Sequence, residues 1–124
     1  MTDLPAAPPV ALAVLRDAAS TGDLEDWGPL EEATGPPMAT SGLTMWADES
    51  GSECGIWECT PGPSHWVLET NELVHVLAGS MTVTPDDPGA EPVRLGPGDS
   101  ALFPLGWSGR WEIHERLRKL YVIF

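Results

Sequence analysis

Glu72-Leu-Val-His-Val-Leu-Ala-Gly79 and, after 18 intervening residues, Gly98-Asp-Ser-Ala-Leu-Phe-Pro-Leu-Gly-Trp107 carry the strongest structural signal in this chain. The first stretch reads as a strand, Glu72–Leu77, closed by Gly79 where a hairpin turn favours positive φ. The second opens on a tight reversal, Gly96-Pro-Gly98-Asp99, in which the Asp99 carboxylate can accept from backbone N–H groups. A strand over Ser100–Phe103 follows, and Pro104-Leu-Gly106 ends it. The 18 residues between the two stretches are enough for two strands and a hairpin. Each turn is ordinary alone; the combination is specific.

Short apolar runs separated by breakers continue on both sides. Strands are expected at Gly42–Trp46, Cys54–Thr60, Trp66–Leu68, Ser80–Thr84, Pro92–Leu95, Gly109–His114 and Leu117–Phe124. Asp48 to Ser52, Pro61-Gly-Pro63 and Asp86-Asp-Pro-Gly89 separate them. Strands at this spacing predict an all-β sandwich or barrel. Residues 1–24 form a Pro/Ala-rich N-terminal extension, with a short helix over Val10–Ala19 or a flexible segment, and residues 25–124 form the barrel. A helix of about three turns is marginal alone and needs the barrel or a partner to pack on.

The composition limits the possible roles. With 124 residues and 42% hydrophobic residues, the chain suits one domain with a real core. Its 13 Gly and 13 Pro suit turns better than long helices. A net charge of -13 argues against nucleic acid and against an anionic membrane as partners. Four of the six basic residues, Arg110, Arg116, Arg118 and Lys119, fall near the C-terminus. They read as strand charges answering an acidic surface, or as a local anion site. Cys54 and Cys59, on one strand, would lie ~16 Å apart on opposite faces and cannot pair in that register. Two free thiols, no basic leader and no long apolar span together point to a cytoplasmic setting.

From about Asp26 to Phe124 the sequence resembles the cupin superfamily, and among its branches the small single-domain cupins related to the cupin domain of (S)-ureidoglycine aminohydrolase. The two stretches above carry that resemblance, together with Gly55-Ile-Trp-Glu-Cys-Thr-Pro-Gly62, Gly109-Arg-Trp-Glu112 and Arg118-Lys-Leu-Tyr-Val122. It implies a double-stranded β-helix, the jelly-roll barrel, as a homodimer with a ligand pocket at the barrel's mouth. In metal-binding cupins the first motif supplies two His and a Glu, and the second one more His. Here Glu72 holds its place. The His positions fall at Trp66 and Leu68, or in the other spacing at His65 and Val67, and the fourth falls at Gly109. One carboxylate with at most one imidazole is too few ligands for a tightly held transition metal. No metal or other cofactor is expected; His65 and Glu72 would be the ligands of a weakly held divalent ion. On strand alternation His75 points out of the barrel if Glu72 points in, and His114 points out if Trp111 and Ile113 face the core.

Glu72 then has two readings. Buried without a metal, its charged form is disfavoured unless a cation sits beside it, which suits a general acid or base. Otherwise it is a fold element paired with Lys119 or Tyr121. The aromatics give the functional hint. Indoles in place of imidazoles turn a polar cup into an apolar stacking pocket. Trp57, His65, Trp66, Trp107, Trp111 and Tyr121 are the ligand-binding candidates, although Trp57 and Trp111 also suit plain core filling. No nucleophile elbow or phosphate loop is present. The function expected is binding of a small organic molecule, with Glu72 as the candidate catalytic residue should the protein be an enzyme (a lyase, isomerase or aminohydrolase-like hydrolase). A non-catalytic interaction module that recruits a protein through its edge strands is the third possibility.

Overall fold

The computed structural model describes residues 12–124, which form eight strands and no helix. These are β1 (Glu25–Pro29), β2 (Ala39–Ala47), β3 (Glu53–Cys59), β4 (Gly62–Val67), β5 (Glu72–Pro85), β6 (Val93–Leu95), β7 (Ser100–Phe103) and β8 (Ser108–Ile123). All pairings are antiparallel. The sheet runs β1-β2-β3-β8-β5-β6, with β4 also on β8 and β7 also on β5. This is the all-β jelly-roll barrel that the sequence led us to expect.

Two long strands close it. The first half of β5 pairs with β7 and its second half with β6. Likewise β8 pairs with β4 through Ser108–Ile113 and with β3 through Leu117–Ile123. Each strand therefore passes from one layer to the other at a bend. The bend lies where the β5–β8 register shifts, between Val76 and Met81 and opposite Glu115 and Arg116. Gly79 is not a hairpin turn, as expected, but an interior residue of β5. Its φ is +80°, and a Cβ there would stand 2.0 Å from the Arg116 carbonyl oxygen. Only glycine lets the two backbones pass this closely. For the same reason the two strands expected over 109–124 are one.

β1 was not foreseen. It pairs with β2 around a bulge between Asp26 and Gly28. The helix expected over Val10–Ala19 begins outside the described residues, and residues 12–19 are not helical. They lead instead into a turn at Asp17 (φ 53°), whose carbonyl accepts from the N–H groups of Ser20 and Thr21. Arg118 fastens this turn to β8 by donating to the carbonyls of Ala18 (3.1 Å) and Thr21 (2.8 Å). A three-turn helix has little intrinsic stability to set against such contacts.

The core lies between the layers and contains Met38, Cys59, Val74, Val76, Met81, Phe103, Trp111, Ile113 and Leu117, all nearly solvent-free. Among the described residues no helix is long and apolar enough to cross a membrane.

Candidate functional site

Residues directly opposite each other on paired strands face the same side of a sheet, so the register defines what the barrel interior receives. Across β3, β8 and β5 one inward row is Glu53–Ile123–Glu72, the next Gly55–Tyr121–Val74, and the third Trp57–Lys119–Val76. Gly55 contributes no side chain to the middle row. A cavity of about 250 Å³ opens there, lined by Trp27, Glu53, Trp57, Trp66, Glu72, Lys119, Tyr121 and Ile123.

Its floor is an ion pair. Lys119 Nζ donates to Glu72 Oε2 at 2.8 Å, with both side chains almost fully buried. The ammonium also lies 4.5 Å from the ring centre of Trp57 and 4.4 Å from that of Trp111. Two indole faces and one carboxylate thus stabilise one buried cation. The sequence offered Lys119 or Tyr121 as the partner of Glu72, and Lys119 is the partner. Tyr121 turns instead to Glu53, donating to Oε2 at 3.0 Å. Burial, reinforced by that bond and by the Glu53 charge, pushes the Tyr121 phenol well above the ordinary range, so it remains a neutral donor.

The walls are indoles. Trp66 donates from Nε1 to Ser64 Oγ (2.8 Å) and stacks on Trp111 at 4.6 Å. Trp57 meets both edge-on, 6.5 Å from Trp66 and 6.4 Å from Trp111. Trp27 lies over Gly42, where a Cβ would come 2.2 Å from its ring.

Of the sequence-derived candidates, Trp57, Trp66, Glu72 and Tyr121 line the cavity. Trp111 stands behind them, fully buried, and its Nε1 finds no hydrogen-bond partner among the described residues. Trp107 belongs elsewhere. It packs edge-on against Phe103 at 4.9 Å and folds over Gly109, where a Cβ would come 2.6 Å from its ring. His65 must be corrected. The inward residues of β4 are Ser64 and Trp66, so His65 faces solvent and shares a 2.8 Å hydrogen bond with Asp86. That bond above all holds the Asp86 carboxyl below its usual range. His75 and His114 bond Ser100 and Thr82 at 2.7 Å in exposed settings, outside the cavity.

The residues present do not fit the metal centre of metal-binding cupins. Trp66, Leu68 and Gly109 offer no donor, His65 faces outward, and Glu72 is held by the chain's own ammonium. Among the described residues no three His, Cys, Asp or Glu side chains cluster as metal ligands do. Of the basic residues near the C-terminus, Arg116 (3.1 Å) and Arg118 (2.6 Å) both pair with Glu58, and Lys119 pairs with Glu72. Cys54 and Cys59 are both free, and burial pushes the Cys59 thiol up to about 11.

Trp27, Glu53, Lys119 and Ile123 were missed as site residues. Alternation could have found Glu53, which shares the parity of Trp57, and Ile123, which shares that of Lys119 and Tyr121. Nothing local marks Trp27, which reaches the cavity through a bulge.

Among solved structures the barrel is similar to a DUF861-family protein of unknown function from Pseudomonas syringae pv. tomato (18% identity, TM-score 0.73), covering 82% of this chain and 44% of that one. The chain thus spans less than half of the Pseudomonas protein. It is similar to EutQ of Clostridium difficile (18% identity, TM-score 0.64, 77% and 75% covered). It is also similar to a DUF861-family protein from Thermotoga maritima (35% identity, TM-score 0.53, 56% and 76% covered). No curated protein matches the chain. The EutQ-like cupin domain model matches residues 47–121, the greater part of the sequence, and with the barrel described above this makes the chain a member of the EutQ-like cupin family.

Proposed function

We propose that the protein binds a small, planar organic molecule in the cavity between β3, β5 and β8, with no tightly held metal. The observation that carries this is the cavity itself: three indoles and a phenol surround a space whose polar groups are confined to its floor and one wall. Such a site gives stacking area along its walls and a few fixed polar contacts, the usual pattern of small-molecule sites. A relationship to the ureidoglycine aminohydrolase branch is supported by the sequence motifs. The aminohydrolase's chemistry is not inherited with it, because the metal donors are absent. A cytoplasmic, homodimeric protein is our further reading, supported by the free thiols and by two outer rows of the sheet that carry no carboxylate.

Indole is a suitable uncharged planar probe. Ligand-observed NMR should show saturation transfer from the protein to indole, and Ile123→Trp, which fills the half-exposed mouth, should abolish it without lowering the melting temperature. Indole that binds neither protein, or both equally, would refute the proposal.

A further inference from the structure

The charges that meet in this cavity do not cancel. Glu72 and Lys119 neutralise each other on the floor. Glu53 is left over: its bond is from the Tyr121 hydroxyl, and among the described residues no Lys, Arg or His lies within ion-pair distance of it. Tyr121 adds no charge of its own, since its phenol keeps its proton at neutral pH.

Glu72 also has capacity to spare. Only its Oε2 accepts from Lys119, and Oε1 accepts from none of the described residues. Among the described residues the buried side-chain polar atoms without a partner are Ser80 Oγ and Trp111 Nε1; Glu72 Oε1 is not one of them, and Glu72 lines the cavity. Glu53 and Glu72 stand in one inward row with Ile123 between them. At about 4.8 Å per strand their backbones are about 10 Å apart, the span of a small cationic group held between two carboxylates. Lys119 approaches Glu72 from the side of Trp57 and Trp111, over whose faces its ammonium also lies, and it bonds Oε2 alone.

Taking the cavity as a small-molecule site, as proposed above, we infer that its ligand is a compact organic cation: a primary ammonium or guanidinium on a planar body. The cationic group lies between Glu53 and Glu72 Oε1, and the body lies against Trp57 and Trp66. A cavity with one net negative charge attracts such a group and repels carboxylates and phosphates. Indole faces add to the preference.

Three isosteric probes separate charge from shape: benzylammonium, benzyl alcohol and benzoate, titrated calorimetrically into the intact protein at neutral pH and low salt. Benzylammonium should bind at least about tenfold more tightly than benzyl alcohol, with benzoate weakest, and added salt should narrow the gap. Glu53→Gln keeps an acceptor for the Tyr121 hydroxyl but removes the charge, and should lower benzylammonium affinity about tenfold with the benzyl alcohol affinity changed less than about twofold. Equal affinities for benzylammonium and benzyl alcohol, or a preference for benzoate, would overturn the cation inference while leaving the cavity as a site. If none of the three binds but indole does, the cation inference alone is overturned. If indole also fails, the cavity is no site and both proposals are lost.

Discussion

Lys119 gives Glu72 a cation that is tethered to the chain. A buried carboxylate facing a buried ammonium contributes little net stability when intact, yet removing one partner strands the other in a poorly solvated place. Glu72→Gln should therefore cost roughly 3 kcal/mol, at the low end for such pairs because two indole faces still hold the ammonium. Lys119→Met should cost at least as much, and combining the two should recover most of the loss. Urea unfolding of the three variants measures this coupling. A Glu72→Gln protein with an unchanged midpoint would detach Glu72 from the fold and favour the acid–base role instead. At this scale the sequence was legible in parts. Glu72 was marked by its motif and Lys119 was named as its partner. Trp57, Trp66 and Tyr121 could be placed at the cavity because indoles and a phenol at inward positions have few uses. His65 was misplaced because the motif's two spacings differ by one residue, and a single step reverses the face of a strand.

The two bent strands are the elements on which the site depends, since β8 supplies Lys119, Tyr121 and Ile123 while β5 supplies Glu72. The bend at Gly79 sets how they cross. Gly79→Ala should cost on the order of 3 kcal/mol or more, combining left-handed backbone strain with a Cβ forced against the Arg116 carbonyl. Gly89→Ala is the matched control: φ is +81° there, but nothing lies within 4 Å, so only the strain of about 1–2 kcal/mol applies. Equal losses at the two positions, measured by thermal unfolding, would show that the crossing is not steric. Strand positions were legible wherever an apolar run met a Gly or Pro. What was not legible was continuity. A glycine inside a bent strand and a glycine in a hairpin look alike in sequence, because both are chosen for positive φ. β1 escaped because its pairing rests on a bulge and on contacts with β2, neither of which has a local pattern.

The barrel's outer surface bears on assembly. On the face away from the cavity, Leu102, Leu73, Val122, Cys54 and Trp46 form one row across β7, β5, β8, β3 and β2, and Ser100, His75, Leu120, Ile56 and Leu43 form the next. Neither row contains a carboxylate, in a chain with 19 Asp and Glu residues. Leu73, Leu102 and Trp46 are 42%, 58% and 48% exposed, a substantial apolar area to leave in water. Two copies each carrying -13 repel one another over most of their surfaces, so rows free of acidic groups are where they can approach. A two-fold pairing through it would bury the same leucines from both sides. We expect the protein to sediment as a dimer at micromolar concentration, and more firmly so in higher salt, which screens the repulsion without weakening apolar contact. Leu73→Glu places a carboxylate at the centre of this face, on a side chain that points away from the core. It should halve the mass in sedimentation equilibrium while leaving the melting temperature of the separated monomer and its binding of indole intact. A wild-type monomer, or a Leu73→Glu protein that still pairs, would assign these rows to some other contact.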